Sequence, residues 1–227
     1  MPITLAFFED GFSDILFTRL LWGVIPVVLL VLIVTLIVRV IDRRNKAQGG
    51  INTMLAEDKK ANNIRSKNID ENHFYKPNIA ELPTKKYTEE EIASAHPIYI
   101  WQKKSMAAAD KKMIHFKEEF TNIELKKMFG TANLEFIARY EENFTNFIHA
   151  LRHWGQALLK EGQQDDAQKV LEFAIEAGSE ISQTYILLSD IYAAQRNTRA
   201  LIALKNTLDT RNMPGKKTAL DHIETLL

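Results

Sequence analysis

The chain contains no cysteine. That excludes a disulfide framework and thiolate metal sites, and it agrees with a reducing, cytoplasmic setting. An excess of charge of either sign is missing as well, because 29 lysines and arginines balance 29 aspartates and glutamates. With no net field, nothing points to nucleic acid or to an acidic substrate as a partner. No stretch shows the two-residue alternation or β-branched enrichment of strands, so the expected fold class is all-α.

Catalytic motifs are equally scarce. His149 and His153 stand one helical turn apart, but the intervening Ala-Leu-Arg lacks the glutamate of a zinc-protease HExxH motif, and no third ligand is evident. They are expected to be groove-facing or solvated. Gly215-Lys216-Lys217-Thr218 resembles the tail of a phosphate-binding loop, yet Thr210 stands where that loop requires glycine. A turn before a helix is expected there. Ser94, Ser105, Ser179, Ser182 and Ser189 lack the context of a nucleophile elbow. Glu141-Glu142 and Asp165-Asp166 read as helix-surface or first-turn charges, and the aspartates suit a helix N-terminus. No catalytic residue, metal ligand, cofactor or small-molecule substrate is assigned, and the chain is not expected to be an enzyme.

What is present is a run of apolar residues. Leu20 to Val38 carries no charge, and at about 1.5 Å per residue such a helix nearly spans the roughly 30 Å core of a bilayer. Val40 and Ile41 extend it, with Arg39 reaching the headgroups, so residues 20–41 are expected to form a transmembrane helix. A cleaved signal peptide would need a basic leader and a shorter apolar core. Here the preceding residues include Glu9, Asp10 and Asp14 against Arg19, and the run ends in Arg-Val-Ile-Asp-Arg-Arg. Retention as a single-pass anchor is expected. Arg39, Arg43, Arg44 and Lys46 crowd the C-terminal edge, which places the bulk of the chain in the cytoplasm and residues 1–19 outside. The same basic cluster favours anionic lipids. Phe7, Phe8, Phe12, Leu16 and Phe17 suggest an amphipathic lead-in at the interface.

Residues 42–87 are rich in Asn, Lys, Asp and Glu, with Gly49-Gly50 near their start and Pro77 and Pro83 later. They are expected to be a basic juxtamembrane segment followed by a mostly flexible linker, with at most a short polar helix over 51–65. His73-Phe74-Tyr75-Lys76-Pro77 is either a docking motif or a strip lying against the folded domain, and the second reading is preferred.

The folded part, 88–227, opens on Thr88-x-x-Glu91, a capping box. His96-Pro97 restarts the helix. Met113, Phe116, Phe120 and Ile123 form one stripe that stops at Gly130. A second runs from Leu134 to Leu158 and stops at Gly162, with 143–146 as a possible break. From Ile148 the spacing of Trp154-Gly155, Leu158, Gly162, Ala167, Leu171 and Ala174 resembles the helix-turn-helix of a tetratricopeptide repeat (TPR). Gly155 and Ala167 are small where two helices approach, and Gly162 turns the chain. A second copy starts near Ser182 with Tyr185, Leu188 and Tyr192, and matches at Ala200 and Leu204 if its turn is one residue short. It departs from the pattern at Ser179, where proline is usual, and after Leu188, where a small residue is expected. Thr218 is expected to cap a closing helix, and 104–144 to supply a preceding hairpin.

The chain thus resembles the single-pass, membrane-anchored TPR proteins of bacteria over residues 148–227. The resemblance implies an α-solenoid of helical hairpins whose concave groove binds a protein partner. On helix phase, that face includes Asn146, Arg152, Gln156, Gln183, Tyr185 and Asp190. The expected function is a scaffold or adaptor that recruits cytoplasmic partners to the membrane. The competing class is a membrane-bound enzyme, or its regulatory subunit, with a site in the helical domain.

Overall fold

The structure is a computed structural model that describes the backbone of residues 6–116 and 118–227 and the side chains of 28–116 and 118–227. It is mostly helical, with nine α-helices among the described residues, and divides into two compact units after Asn63.

The first unit is one long helix, α1 (Ala6–Asn62). Its large apolar side chains from Val28 to Val38 are each about half exposed or more, with no turn of the helix covered. The one hydroxyl in this run, Thr35 Oγ1, donates to Val31 O at 2.7 Å, which satisfies it within the helix. Among the described residues no helix is long and apolar enough to cross a membrane. Side chains 20–27 of the expected span, and those of the lead-in, lie outside the described residues.

Beyond the apolar run the helix continues through 42–62, where a flexible linker was expected. Gly49-Gly50 do not stop it. The Thr53 hydroxyl donates to both their carbonyls, at 3.0 and 2.8 Å, and the residues that follow (Met54-Leu55-Ala56-Glu57) are strong helix formers.

The second unit begins at Ile64, well before the expected boundary at 88. Residues 64–87 form a strap laid on the helices rather than a free linker. Lys67 N–H donates to Phe129 O at 3.0 Å. β1 (Phe74–Tyr75) pairs antiparallel with β2 (Met113–Ile114), a two-strand ladder that the all-α expectation lacked. Phe74 meets Tyr140 edge-on at 5.3 Å, and Tyr75 meets Phe144 likewise at 5.4 Å. Leu82 is buried in the main core. At the end of the strap, the buried Gln102 amide clamps one backbone unit: Lys85 N–H donates to its Oε1 at 3.1 Å, and its Nε2 donates to Lys85 O at 2.8 Å.

α2 (Glu89–Ala93) starts at the Thr88 capping box, and α3 (Pro97–Ala109) has Pro97 in its first turn, as the sequence suggested. The expected helix through Met113 and Phe116 is absent. Those residues belong to β2 and the loop after it, and α4 (Asn122–Phe129) starts only at a second capping box, Thr121 with Glu124. Gly130 ends that helix as expected. α5 (Leu134–Lys160) is continuous through 143–146 and forms the spine on which α3, β2 and α6 (Gln164–Glu176) pack.

α7 (Ser182–Ala194), α8 (Thr198–Asp209) and α9 (Lys216–Leu226) complete the unit. α6 begins at Gln164 and α8 at Thr198, 34 residues on; α9 follows α7 by the same interval. The burial pattern repeats with it. Leu201, Leu204 and Leu208 are buried at the places of Ala167, Val170 and Ala174. The second turn is therefore not one residue short. Nor is its small residue missing: Ser189 is fully buried at the place of Gly155, its hydroxyl returned to Ile186 O at 2.7 Å. The need for small residues is direct at Gly155, where an added Cβ would lie 2.7 Å from the Leu171 side chain. Thr218 sits inside α9 rather than capping it, since the helix starts at Lys216.

The hairpins are joined by polar contacts as well as by the core. Tyr192 O–H donates to Glu172 Oε1 at 2.7 Å, and Gln168 Nε2 donates to the same carboxylate. Burial and that carboxylate both push the Tyr192 hydroxyl well above its ordinary range, so it remains a donor.

Candidate functional site: an acidic, apolar-floored cleft

A concavity of about 1440 Å³ in the helical unit opens to solvent. One wall is the first half of α5, which presents Glu141, Phe144, Thr145, Ile148 and His149 at helical spacing. The second is made of residues 114–116 and 118–120 with Leu125 of α4. The α6–α7 turn and the α8–α9 connection close the end, through Glu176 to Ile181 and through Thr210 to Pro214.

Each wall is held by identifiable contacts. The His115 ring stacks on Phe144 at 4.2 Å, and it approaches Gly178 so closely that a Cβ there would fall 2.5 Å from Nε2. Phe116 packs edge-on against Phe120 at 5.2 Å, and against Phe129 at 6.0 Å. Ile114, Phe129 and Ile137 form a second small buried cluster behind this wall, with Phe74 and Tyr140 from the strap side and α5. Ser179, at the position where a proline was expected, is fully buried. Its carbonyl accepts from Tyr185 O–H at 3.1 Å and its hydroxyl from Ile181 N–H at 3.3 Å. Arg211 Nη2 donates to Ile175 O at 2.9 Å, which places a cation at the C-terminal end of α6 and fixes the α8–α9 connection.

Five carboxylates stand against one arginine, Arg211, among the described residues that line the cleft. Glu118, Glu119, Glu141, Glu176 and Glu180 line it, and none of the five forms an ion pair among the described residues. Glu141 is half-buried, and desolvation pushes its carboxyl above the usual range. The floor between the carboxylates is aromatic and aliphatic.

The residues expected to bind a partner are scattered by comparison. Asn146 and Gln183 are exposed, but neither lines the cleft. Arg152 and Gln156 lie on the same face of α5 as Thr145 and His149, one and two turns further on, and Arg152 Nη1 donates to Gln156 Oε1 at 3.0 Å. Arg152 also contacts His153 Nε2, whose ring stacks on Trp101 at 4.2 Å. Burial first, then Arg152, hold His153 below its ordinary range, so the ring accepts as a neutral imidazole. Asp190 is engaged by His222 Nε2 at 2.7 Å. Tyr185 is a correction: it is completely buried, and helix phase mistook a core position for a surface one.

His149 lines the cleft while His153 faces Trp101, so the two do not converge. Among the described residues no group of three or more histidines, aspartates or glutamates is placed to hold a metal ion. Gly215-Lys216-Lys217-Thr218 is the start of α9, with Gly215 in the left-handed region. Asp165 and Asp166 occupy the first turn of α6, and Asp166 pairs with Lys85 of the strap at 3.1 Å.

No protein-family model, curated protein or solved structure matches the chain. Its likeness to TPR proteins therefore rests on its own residue spacing.

Proposed function

We propose that the protein is a membrane-anchored interaction module, in which the helical unit docks a protein partner through the cleft beside α5. The carrying observation is the cleft itself: it is wide, open, floored by aromatic residues and rimmed by carboxylates that have no ion-pair partner in the described structure. A cleft of this size exceeds the roughly 300–1,000 Å³ of ordinary small-molecule pockets and suits a peptide or helix better.

The anchor half of the reading rests on α1. Large apolar side chains exposed all round a helix from Val28 to Ile41 have no protein surface to cover them among the described residues, and a bilayer is the solvent that such a helix fits. With the apolar residues 20–27 of the sequence, the run reaches the length of a span. The basic residues after it favour a cytoplasmic helical unit. We further infer that α5–α6 and α7–α8 are TPR-like repeats, supported by the 34-residue interval and its repeating buried positions.

Site-specific photo-crosslinking in the native membrane tests the docking reading. A photoreactive residue at Thr145, inside the cleft, should yield a defined protein adduct. The same residue at Thr198, exposed on α8 and outside the cleft, should not. Equal labelling from the two positions, or none from Thr145, would contradict it.

A further inference from the structure

We propose that the occupant of the cleft is a cationic amphipathic segment of the partner. Its apolar side lies on the partly exposed Phe116, Phe120, Leu125 and Ile181, and its lysines or arginines meet Glu118, Glu119, Glu176 and Glu180. This rests on the docking reading above and adds the chemistry of the partner.

Charge complementarity carries the step. Glu118 and Glu119 come from the segment before α4, Glu141 from α5, and Glu176 and Glu180 from the end of α6 and the turn after it, and all five line the same cleft as the apolar residues. Among the described residues one arginine, Arg211, lines the cleft, and it donates a guanidinium N–H to Ile175 O. Carboxylates that line a cleft with aromatic rings attract a positively charged partner, speed its encounter and repel an acidic one. They disfavour nucleic acid for the same reason, since phosphates meet the same field. Among the described residues no three of these groups converge as metal ligands would. An aromatic floor with charged rims is the geometry that takes an amphipathic helix by apolar anchors spaced at i, i+3, i+4 and i+7. The buried apolar contact would supply affinity, and the rim would select the sign of charge.

The test is selection from a random peptide library of about 16 residues, long enough for four helical turns. The target is the full-length protein in nanodiscs of neutral lipid, with empty discs as the counter-selection. The expected winners carry net positive charge with apolar residues at helical spacing. Their affinity should fall about tenfold or more in the variant E118Q/E119Q/E176Q/E180Q, and should weaken steeply with added salt. All four glutamates are exposed, so the variant should fold, and an unchanged melting profile will verify this. Winners of neutral or acidic sequence, or cationic winners indifferent to the variant, overturn this inference and leave the docking reading intact if Thr145 still crosslinks. No enrichment over empty discs also overturns it, and the absence of a Thr145 adduct then removes the docking reading separately.

Discussion

Trp154→Ala will cost the helical unit about 3–5 kcal/mol, the range for removing a large aromatic side chain from a packed core. Trp154 is the bulkiest of the fully buried side chains, with no exposed surface at all. It stands on α5, the helix against which α3, α6 and β2 pack. The void left behind therefore opens inside the main buried cluster, where close packing limits how far the neighbours can relax into it. Domains of this size are stable by only about 5–15 kcal/mol, so the loss removes a large share of the margin. Trp154→Phe should lose less than half as much. Most of the apolar volume is kept, and among the described residues the buried indole Nε1 has no hydrogen-bond partner to forfeit. Equilibrium denaturation of the full-length protein in a mild non-ionic detergent measures both. A loss below about 1 kcal/mol for the alanine variant, at the level of a surface change, would mean that α5 is not the packed spine described.

Gly130→Ala acts by a different route and should be nearly as damaging. Gly130 has φ +83° and ψ +152°, a conformation open almost only to glycine, and forcing another residue into it costs of order 1–3 kcal/mol. Space is denied as well, because an added Cβ would lie 2.7 Å from both Arg65 O and Ser66 Cα. Backbone atoms cannot swing aside as the Leu171 side chain can at Gly155. The strap must lift at residues 65–67, which breaks the bond from Lys67 N–H to Phe129 O and the contact of the Asn133 amide with Lys67 O. Hydrogen exchange should then show lost protection at Lys67, while amides in the middle of α7 keep theirs. Uniform loss across the whole unit, or no loss at Lys67, would contradict a strap held locally at the end of α4.

The same two sites show what was legible in the sequence. The apolar stripe of α5 and the small residues of the hairpins are written at helical spacing, so the helices from Leu134 onward could be read with little error. The strap could not, because its hold on the helices comes from tertiary contacts: a side-chain amide from Gln102, one two-residue ladder and single buried apolar side chains such as Leu82. Polar composition hides such contacts. One signal for the cleft was present and passed over. Thr121-x-x-Glu124 has the same form as the capping box at Thr88 and marks a helix start at 122. Placing it there releases Met113 to Phe120 from the helix and turns Phe116 and Phe120 into a loop wall beside α5. Tyr185 failed for the opposite reason. Helix phase locates a face but not which neighbour covers it, and the α6–α7 turn covers this one.

A membrane-anchored module requires that α1 hold the protein in a bilayer while the helical unit stays outside it. Two portions of membrane containing the native protein test both, one extracted at alkaline pH and the other kept as sealed vesicles and treated with protease from the cytoplasmic side. The protein should stay with the lipid through extraction, and protease added to sealed vesicles with the cytoplasmic face outward should cut away the part bearing residues 64–227. Release into the alkaline supernatant, or protection of the helical unit inside those vesicles, would contradict it.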